Sequence, residues 1–254
     1  MVSSLAENAG LRKASIVLRR LGTCGGQALL DPEQPHAPAS MIKVPIAAVL
    51  VADWAEGRSA PADLVTVEAQ NLTPNDLPSP LVAGYRSSLE EVAGLMLTRS
   101  DNVATNVLID VLGRERVGER CRSWGLQATA VRRKLSGALP LIEDPAATGR
   151  NSHPAGDSAR LFGLIAQGSH FPNRWLLAAL AAQEWNEKLP VGLSAGDRFA
   201  HKTGDTDEVS HDGGILDLAA GPRWIVVVYS ALPSSPANDE RFGRFMRDLR
   251  PHLA

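Results

Sequence analysis

Cysteine is almost missing from this sequence: two occur in 254 residues, Cys24 in a Gly-rich stretch and Cys121 in a helical-looking one. Two such residues make neither a disulfide framework nor a cysteine metal site, so both are expected to be free thiols. An excess of charge of one sign is missing as well. Lys and Arg number 26 against 28 Asp and Glu, and no basic stripe runs along any segment to follow a phosphate backbone. Nucleic acid is therefore not expected as a partner. No stretch reaches the roughly 18 apolar residues of a membrane helix. The opening "MVSSLAENAGLRKASIVLRR" also lacks the basic segment and long apolar run of a signal peptide. The expectation is a chain that enters no membrane and is cytoplasmic as written, unless a signal peptide has been trimmed. Internal repeats and low-complexity segments are absent too.

What is present is an ordinary globular composition, 44% hydrophobic and 21% charged, with enough chain to bury a sizeable core. Residues 13–20 and 27–31 read as two strands joined by the turn "GTCGG" at 22–26. Helical periodicity begins at Ser40 and runs to Gly57, with Pro45 in the first turn, where its missing N–H is tolerated. Four prolines, Pro61, Pro74, Pro78 and Pro80, make 61–87 loop-rich. A helix over 87–100 follows, with Ser87 or Ser88 as cap and Glu90 or Glu91 able to close a capping box. Two further helices are expected over Asn102–Leu112 and 114–124. The pattern then fails from Thr129 to Pro154, a loop long enough to suggest function.

Helices resume at 154–168 and 174–185, strands at 198–204, 210–218 and 223–232, and a last helix covers 238–253. Strands at both ends flanking a helical middle predict an α/β (α+β) fold in which one antiparallel sheet, built from both chain termini, packs against helices. One domain over 1–254 is expected, with an α/β lobe at about 1–57 and 185–254 and a helical lobe at about 58–184.

Three short motifs occur in order: Ser40-Met41-Ile42-Lys43, Ser100-Asp101-Asn102 and Lys202-Thr203-Gly204. Each has a plain structural reading: a helix start with a solvated lysine, a helix cap, and a strand end meeting a turn. Together, with S-x-x-K opening a helix, S-D-N between helices and K-T-G ending a strand, they resemble the penicillin-recognising serine hydrolases, and class A β-lactamases most closely. The resemblance runs over nearly the whole chain, through "APASMIKV", "LEEVAGLMLTRSDNVATNVLIDVLG", "AHKTGDT" and "WIVVVYSA". It implies a cofactor-free serine hydrolase whose small-molecule substrate is a β-lactam or an acyl-D-Ala-like amide or ester. The oligomeric state stays open.

The chemistry needs these residue types. A serine hydroxyl is a poor nucleophile at neutral pH without a base. Lys43, one helical turn beyond Ser40, shares its face, and burial near a second lysine, Lys202, would lower its pKa enough to take the Ser40 proton. Ser100 can relay a proton to the leaving nitrogen, and the Asn102 amide can orient Lys43 and a substrate carbonyl. Lys202 and the Thr203 hydroxyl would hold a substrate carboxylate, while Gly204 permits close approach. By resemblance, the backbone N–H groups of Ser40 and Asp205 form the oxyanion hole.

One family feature is missing. Class A β-lactamases carry an E-x-x-x-N pattern in the loop after the middle helices, whose glutamate activates the water that clears the acyl-enzyme. No such pattern stands in "TAVRRKLSGALPLIEDPAATGRNSHP". Counting back from "NSHPAGDSARL" puts Gly137 at the glutamate's place. Glu143 and Asp144, the loop's carboxylates, fall several residues late, and Glu143 is the one candidate for a deacylating base. The expectation is acylation followed by slow deacylation. A D,D-peptidase, an esterase or amidase, or a non-catalytic β-lactam-binding sensor on the same scaffold remain alternatives. His201 and His211 lack a third ligand at recognisable spacing, so no metal is expected. Tyr85 could stack on a substrate ring or simply pack.

Overall fold

The computed structural model describes residues 1–22 and 26–253; Cys24 and the middle of the expected 22–26 turn lie outside the described residues. The chain opens with helix α1 (Val2–Ala9), strands β1 (Ser15–Arg20) and β2 (Gln27–Leu30), and helix α2 (Lys43–Ala55). The middle holds strand β3 (Leu64–Thr66), strand β4 (Arg86–Ser88) and helices α3 (Leu89–Thr98), α4 (Asn102–Leu112), α5 (Arg114–Ser123), α6 (Ala155–Gln167) and α7 (Arg174–Ala181). Strands β5 (Arg198–Asp205), β6 (Ser210–Asp217) and β7 (Arg223–Ser230) lead to helix α8 (Pro236–Leu249). The mixed α/β fold expected from the sequence is present: five strands from the two ends of the chain form one antiparallel sheet in the order β2-β1-β7-β6-β5.

The central strands are apolar on both faces, and their alternation divides the core. Val17, Ile225, Val227 and Tyr229 face a cluster built with the middle helices. Ile16, Leu18, Val226 and Val228 face α1 and α8 instead. This is the period of two that a sheet covered on both sides requires. Helix α8 meets it with Phe242, Phe245, Met246 and Leu249, a stripe at helical spacing. On the other side α2 is buried at every residue from Lys43 to Asp53, so it forms the axis around which the helical side packs.

Local details depart from the sequence reading. The helix expected from Ser40 is a 3-10 turn over Ala39–Ile42 that passes into α2 at Lys43. Helix α1 was not expected; Gly10, at φ 76°, ends it, with its N–H and that of Leu11 reaching the Glu7 and Ala6 carbonyls. Within the Pro-rich 61–87 segment, β3 and β4 pair as a short antiparallel ladder. The helix expected to reach 185 stops at Ala181. Ser88 is the cap of α3, accepting from the Glu91 N–H at 3.1 Å. Glu91 turns its carboxylate to the Ser87 hydroxyl at 2.7 Å. Cys121 is free and buried, and burial pushes its thiol up to about 12. Among the described residues no helix is long and apolar enough to cross a membrane.

Candidate active site

Lys43 is the hub. Its Nζ lies 2.8 Å from Ser40 Oγ, 3.0 Å from Ser100 Oγ, 2.8 Å from Asn102 Oδ1 and 2.5 Å from the Ser100 carbonyl oxygen. Helical spacing from the 3-10 turn into α2 stacks Ser40 over Lys43, and the α3–α4 junction brings the other two. An ammonium has three N–H bonds for these four oxygens. A neutral amine would instead accept from one of the hydroxyls. Burial, and next the positive charge of Lys202, push Lys43 toward the neutral form by holding its pKa well below its ordinary 10.5, against the opposing pull of Asp101 and Asp76.

The Ser-Asp-Asn stretch divides its labour. Asp101 is the cap of α4, accepting from the Ala104 N–H at 2.9 Å. Asn102 begins the helix and points its amide oxygen at Lys43. Ser100 adopts φ 59°, in the left-handed region that a residue with a side chain occupies at a cost. That conformation lets its hydroxyl and its carbonyl both reach Lys43. Ala39, the residue before Ser40, is left-handed as well, at φ 46°. Backbone strain thus flanks the cleft on two elements.

Strand β5 closes the other wall and is an edge of the sheet. A Cβ on Gly204 would come 3.1 Å from the backbone nitrogens of both Ser40 and Met41, so the absence of a side chain is what allows the strand to touch the turn. Lys202 is fully buried, and burial lowers its pKa to about 7; Asp205 opposes this and Lys188 reinforces it. Thr203 is buried beside it, and Asp205 ends the strand. The structure therefore gathers Ser40, Lys43, Ser100, Asn102 and the Lys202–Asp205 strand end around one cleft.

Glu143 is not among the residues so bonded. That residue is exposed, and among the described residues no hydrogen bond ties it to the cleft. Its neighbour Asp144 is a staple, accepting from Arg114 at 2.5 Å and from the Lys134 N–H at 2.7 Å. Those bonds hold its carboxyl below the usual range, against the opposing effect of burial. The loop residue that does reach the site is Gly137, against the Asn102 side chain. The loop is clasped to α4 by Asn106, whose amide bonds the Leu135 N–H at 2.7 Å and carbonyl at 3.0 Å, and by Lys134, whose Nζ lies 2.7 Å from Asn71 and from Asp110.

Several contributors carried no motif signal. The Asn75 side-chain oxygen accepts from the Asn102 N–H at 2.5 Å and the Pro74 carbonyl from its amide at 3.2 Å, so the Pro-rich loop is a third wall. Asp76, next along, is near enough that its charge acts on both Lys43 and Lys202. The two weighed histidines are occupied by protein partners: His201 bonds Asp212 at 2.7 Å and Asn186 at 3.2 Å, while His211 Nε2 lies 2.8 Å from the Ala37 carbonyl just before Ser40. Tyr85 donates to Glu91 at 3.3 Å at the start of α3.

A serine hydroxyl within hydrogen-bond distance of a buried lysine thus lies where a sheet edge meets the helical side. The model of the "Beta-lactamase enzyme family" matches residues 2–250, and the chain belongs to that family. A β-lactamase of Rhodobacter capsulatus is 34% identical over 74 residues, 29% of this chain and 25% of that protein, so the match spans about a quarter of the relative's length. Among solved structures, PBP-A is similar at TM-score 0.86 and 27% identity, over 99% of this chain and 94% of that one. A leucine-to-glutamate variant of PBP-A, solved as an acyl-enzyme complex with penicillin G, matches equally well, at 27% identity and TM-score 0.86. An ancestral class A β-lactamase shares the fold, with TM-score 0.86 at 21% identity over 99% of this chain and 98% of that one.

Proposed function

We propose that this chain is a serine hydrolase acylated at Ser40 by β-lactam-type amides, with slow release of the acyl group. The observation that carries the reading is the single Lys43 nitrogen in contact with Ser40 Oγ, Ser100 Oγ and Asn102 Oδ1. Neutral Lys43 takes the Ser40 proton as Oγ attacks the carbonyl carbon. The oxyanion is met by the N–H groups of Ser40 and Asp205, whose elements Gly204 allows to touch. As the C–N bond breaks, the proton passes from Lys43 through the Ser100 hydroxyl to the leaving nitrogen, and an ester on Ser40 remains. Lys202 and Thr203 hold the substrate carboxylate. Ser40, Lys43 and Lys202 come from the lobe we assign to about 1–57 and 185–254, and Ser100 and Asn102 from the helical lobe between.

Release needs a water deprotonated on the open face of that ester. Gly137 offers no carboxylate there and Glu143 is not tied to the cleft, which supports slow deacylation and keeps a D,D-peptidase or esterase as the second reading. A fluorescent penicillin should label the protein but not its Ser40→Ala variant, and intact-mass spectrometry should show one penicilloyl adduct minutes after mixing. Nitrocefin, a D-Ala-D-Ala peptide and p-nitrophenyl esters compared side by side separate the activities. Rapid penicillin hydrolysis with no adduct would overturn slow release, and a Glu143→Gln variant that newly traps the adduct would assign the base to Glu143.

A further inference from the structure

An acidic residue at the end of β5 is a physical problem for the site as read above. Thr203 and Asp205 point to the same side of the strand, about 6.5 Å apart by strand geometry. A free carboxylate on Asp205 would repel a substrate carboxylate held by Lys202 and Thr203. The structure answers this with Lys188, which is 3% exposed. Its Nζ lies 2.6 Å from both carboxylate oxygens of Asp205 and 3.2 Å from the His211 carbonyl. Ser210 Oγ donates to the same carboxylate at 2.8 Å. Asp239 Oδ1 is 4.0 Å from the Lys188 nitrogen, and the Phe242 ring centre is 5.5 Å away. The segment bearing Lys188 is pinned in turn: the next N–H, of Leu189, donates to Asp212 at 3.0 Å, and Asp212 also pairs with His201.

We propose that Lys188 is a positioning residue: it neutralises the Asp205 carboxylate and fixes the strand end, so that Lys202 and Thr203 can take a carboxylate-bearing acyl donor. This rests on the reading of Ser40 as the acylated residue. Lys188 touches no reacting atom and acts through Asp205.

The test compares acylation by penicillin G, which carries a carboxylate, with acylation by p-nitrophenyl acetate, which does not. Lys188→Met should lower the penicillin rate at least tenfold more than the ester rate, with the loss in half-saturating concentration rather than in the maximal rate. Lys188→Arg, which keeps the charge, and Lys188→Met/Asp205→Asn, which removes both charges, should keep the wild-type ratio of the two rates. Equal losses for both substrates in Lys188→Met would overturn the proposal. So would a tenfold fall of the ratio in the double variant, since Lys188 would then act on substrate directly. Should Lys188→Met fail to fold, Lys188→Gln, which also removes the charge but keeps a polar tip, is read by the same ratio: a tenfold fall supports the proposal and an unchanged ratio overturns it. A wild-type protein with no Ser40 adduct would overturn the functional reading as well, whereas an adduct with unequal expectations unmet overturns this inference only.

Discussion

Gly137 lies against Asn102: a Cβ built on it would come 3.1 Å from the Asn102 amide nitrogen and would overlap the Pro74 carbonyl oxygen. Its N–H also donates to the Thr73 hydroxyl at 2.9 Å, so the two loops lock together there. Any side chain must push away the segment that holds Asn102. We expect Gly137→Ala to cost about 1–3 kcal/mol, the usual range for overpacking, measured by urea denaturation. Gly137→Glu should lose stability and acylation together rather than gain turnover. Faster nitrocefin hydrolysis with an unchanged melting temperature would show that the Pro74 segment yields to a side chain.

Lys43 should be the acylation base. Its replacement by alanine leaves Ser40 without a proton acceptor, and acylation by penicillin G should fall by a factor on the order of 10² to 10⁴. Stopped-flow or quench labelling measures it. Labelling at the wild-type rate would pass the role to another group.

Acylation by a carboxylate-bearing substrate needs Lys43 neutral and Lys202 charged. The Lys202 pKa of about 7 centres the loss of its charge near neutrality. The second-order rate with penicillin G should therefore decline above pH 7, toward tenfold per pH unit, while p-nitrophenyl acetate shows no such decline. Lys202→Ala should weaken penicillin far more than the ester and abolish the difference between the two profiles. Parallel profiles would contradict the pairing of Lys202 with the carboxylate.

Stability should fall on mild acidification. His153 is fully buried, with Nδ1 2.8 Å from Thr129 Oγ1 and no partner for Nε2 among the described residues. Burial lowers its pKa from 6.5 to about 3, and burial does the same to His211. Between those values the unfolded imidazole binds a proton that the folded one refuses, so stability is lost as pH drops through 6.5 toward 3. The slope is about 1.4 kcal/mol per pH unit for each group. Urea midpoints between pH 6.5 and 4.5, a window above most carboxylate titrations, should decline, and less steeply in His153→Gln. For Lys202 the sign is the same in a higher window: between pH 7 and 10.5 the unfolded lysine holds the extra proton, so stability rises with pH there too. A flat profile from 6.5 to 4.5 would exclude buried neutral imidazoles.

Much of the fold was legible without coordinates because it rests on short-range patterns. The two-residue alternation of "SIVLRR" and "RWIVVVYS" announces strands covered on both faces, and "SSLEEVAGLMLTRSDN" announces two helices with caps between them. The three motifs could be located because spacing of three residues on a helix suffices to stack Ser40 over Lys43. Helix α1 was missed because eight residues with a mild apolar stripe carry little signal until α8 covers them. What only the tertiary structure decided is whatever depends on burial and on distant partners. Asn75 and Pro74 reach Asn102 across 27 and 28 positions, and Lys188 reaches Asp205 across 17. Gly137 arrives beside the site as a glycine that no motif marks. No local pattern records such meetings, because a side chain's partner across the fold leaves no trace in its neighbours along the chain. The same holds for the lowered pKa of Lys43: sequence supplies the amine, but its proton affinity is set by the water removed around it and by a second lysine brought in from the far end of the chain.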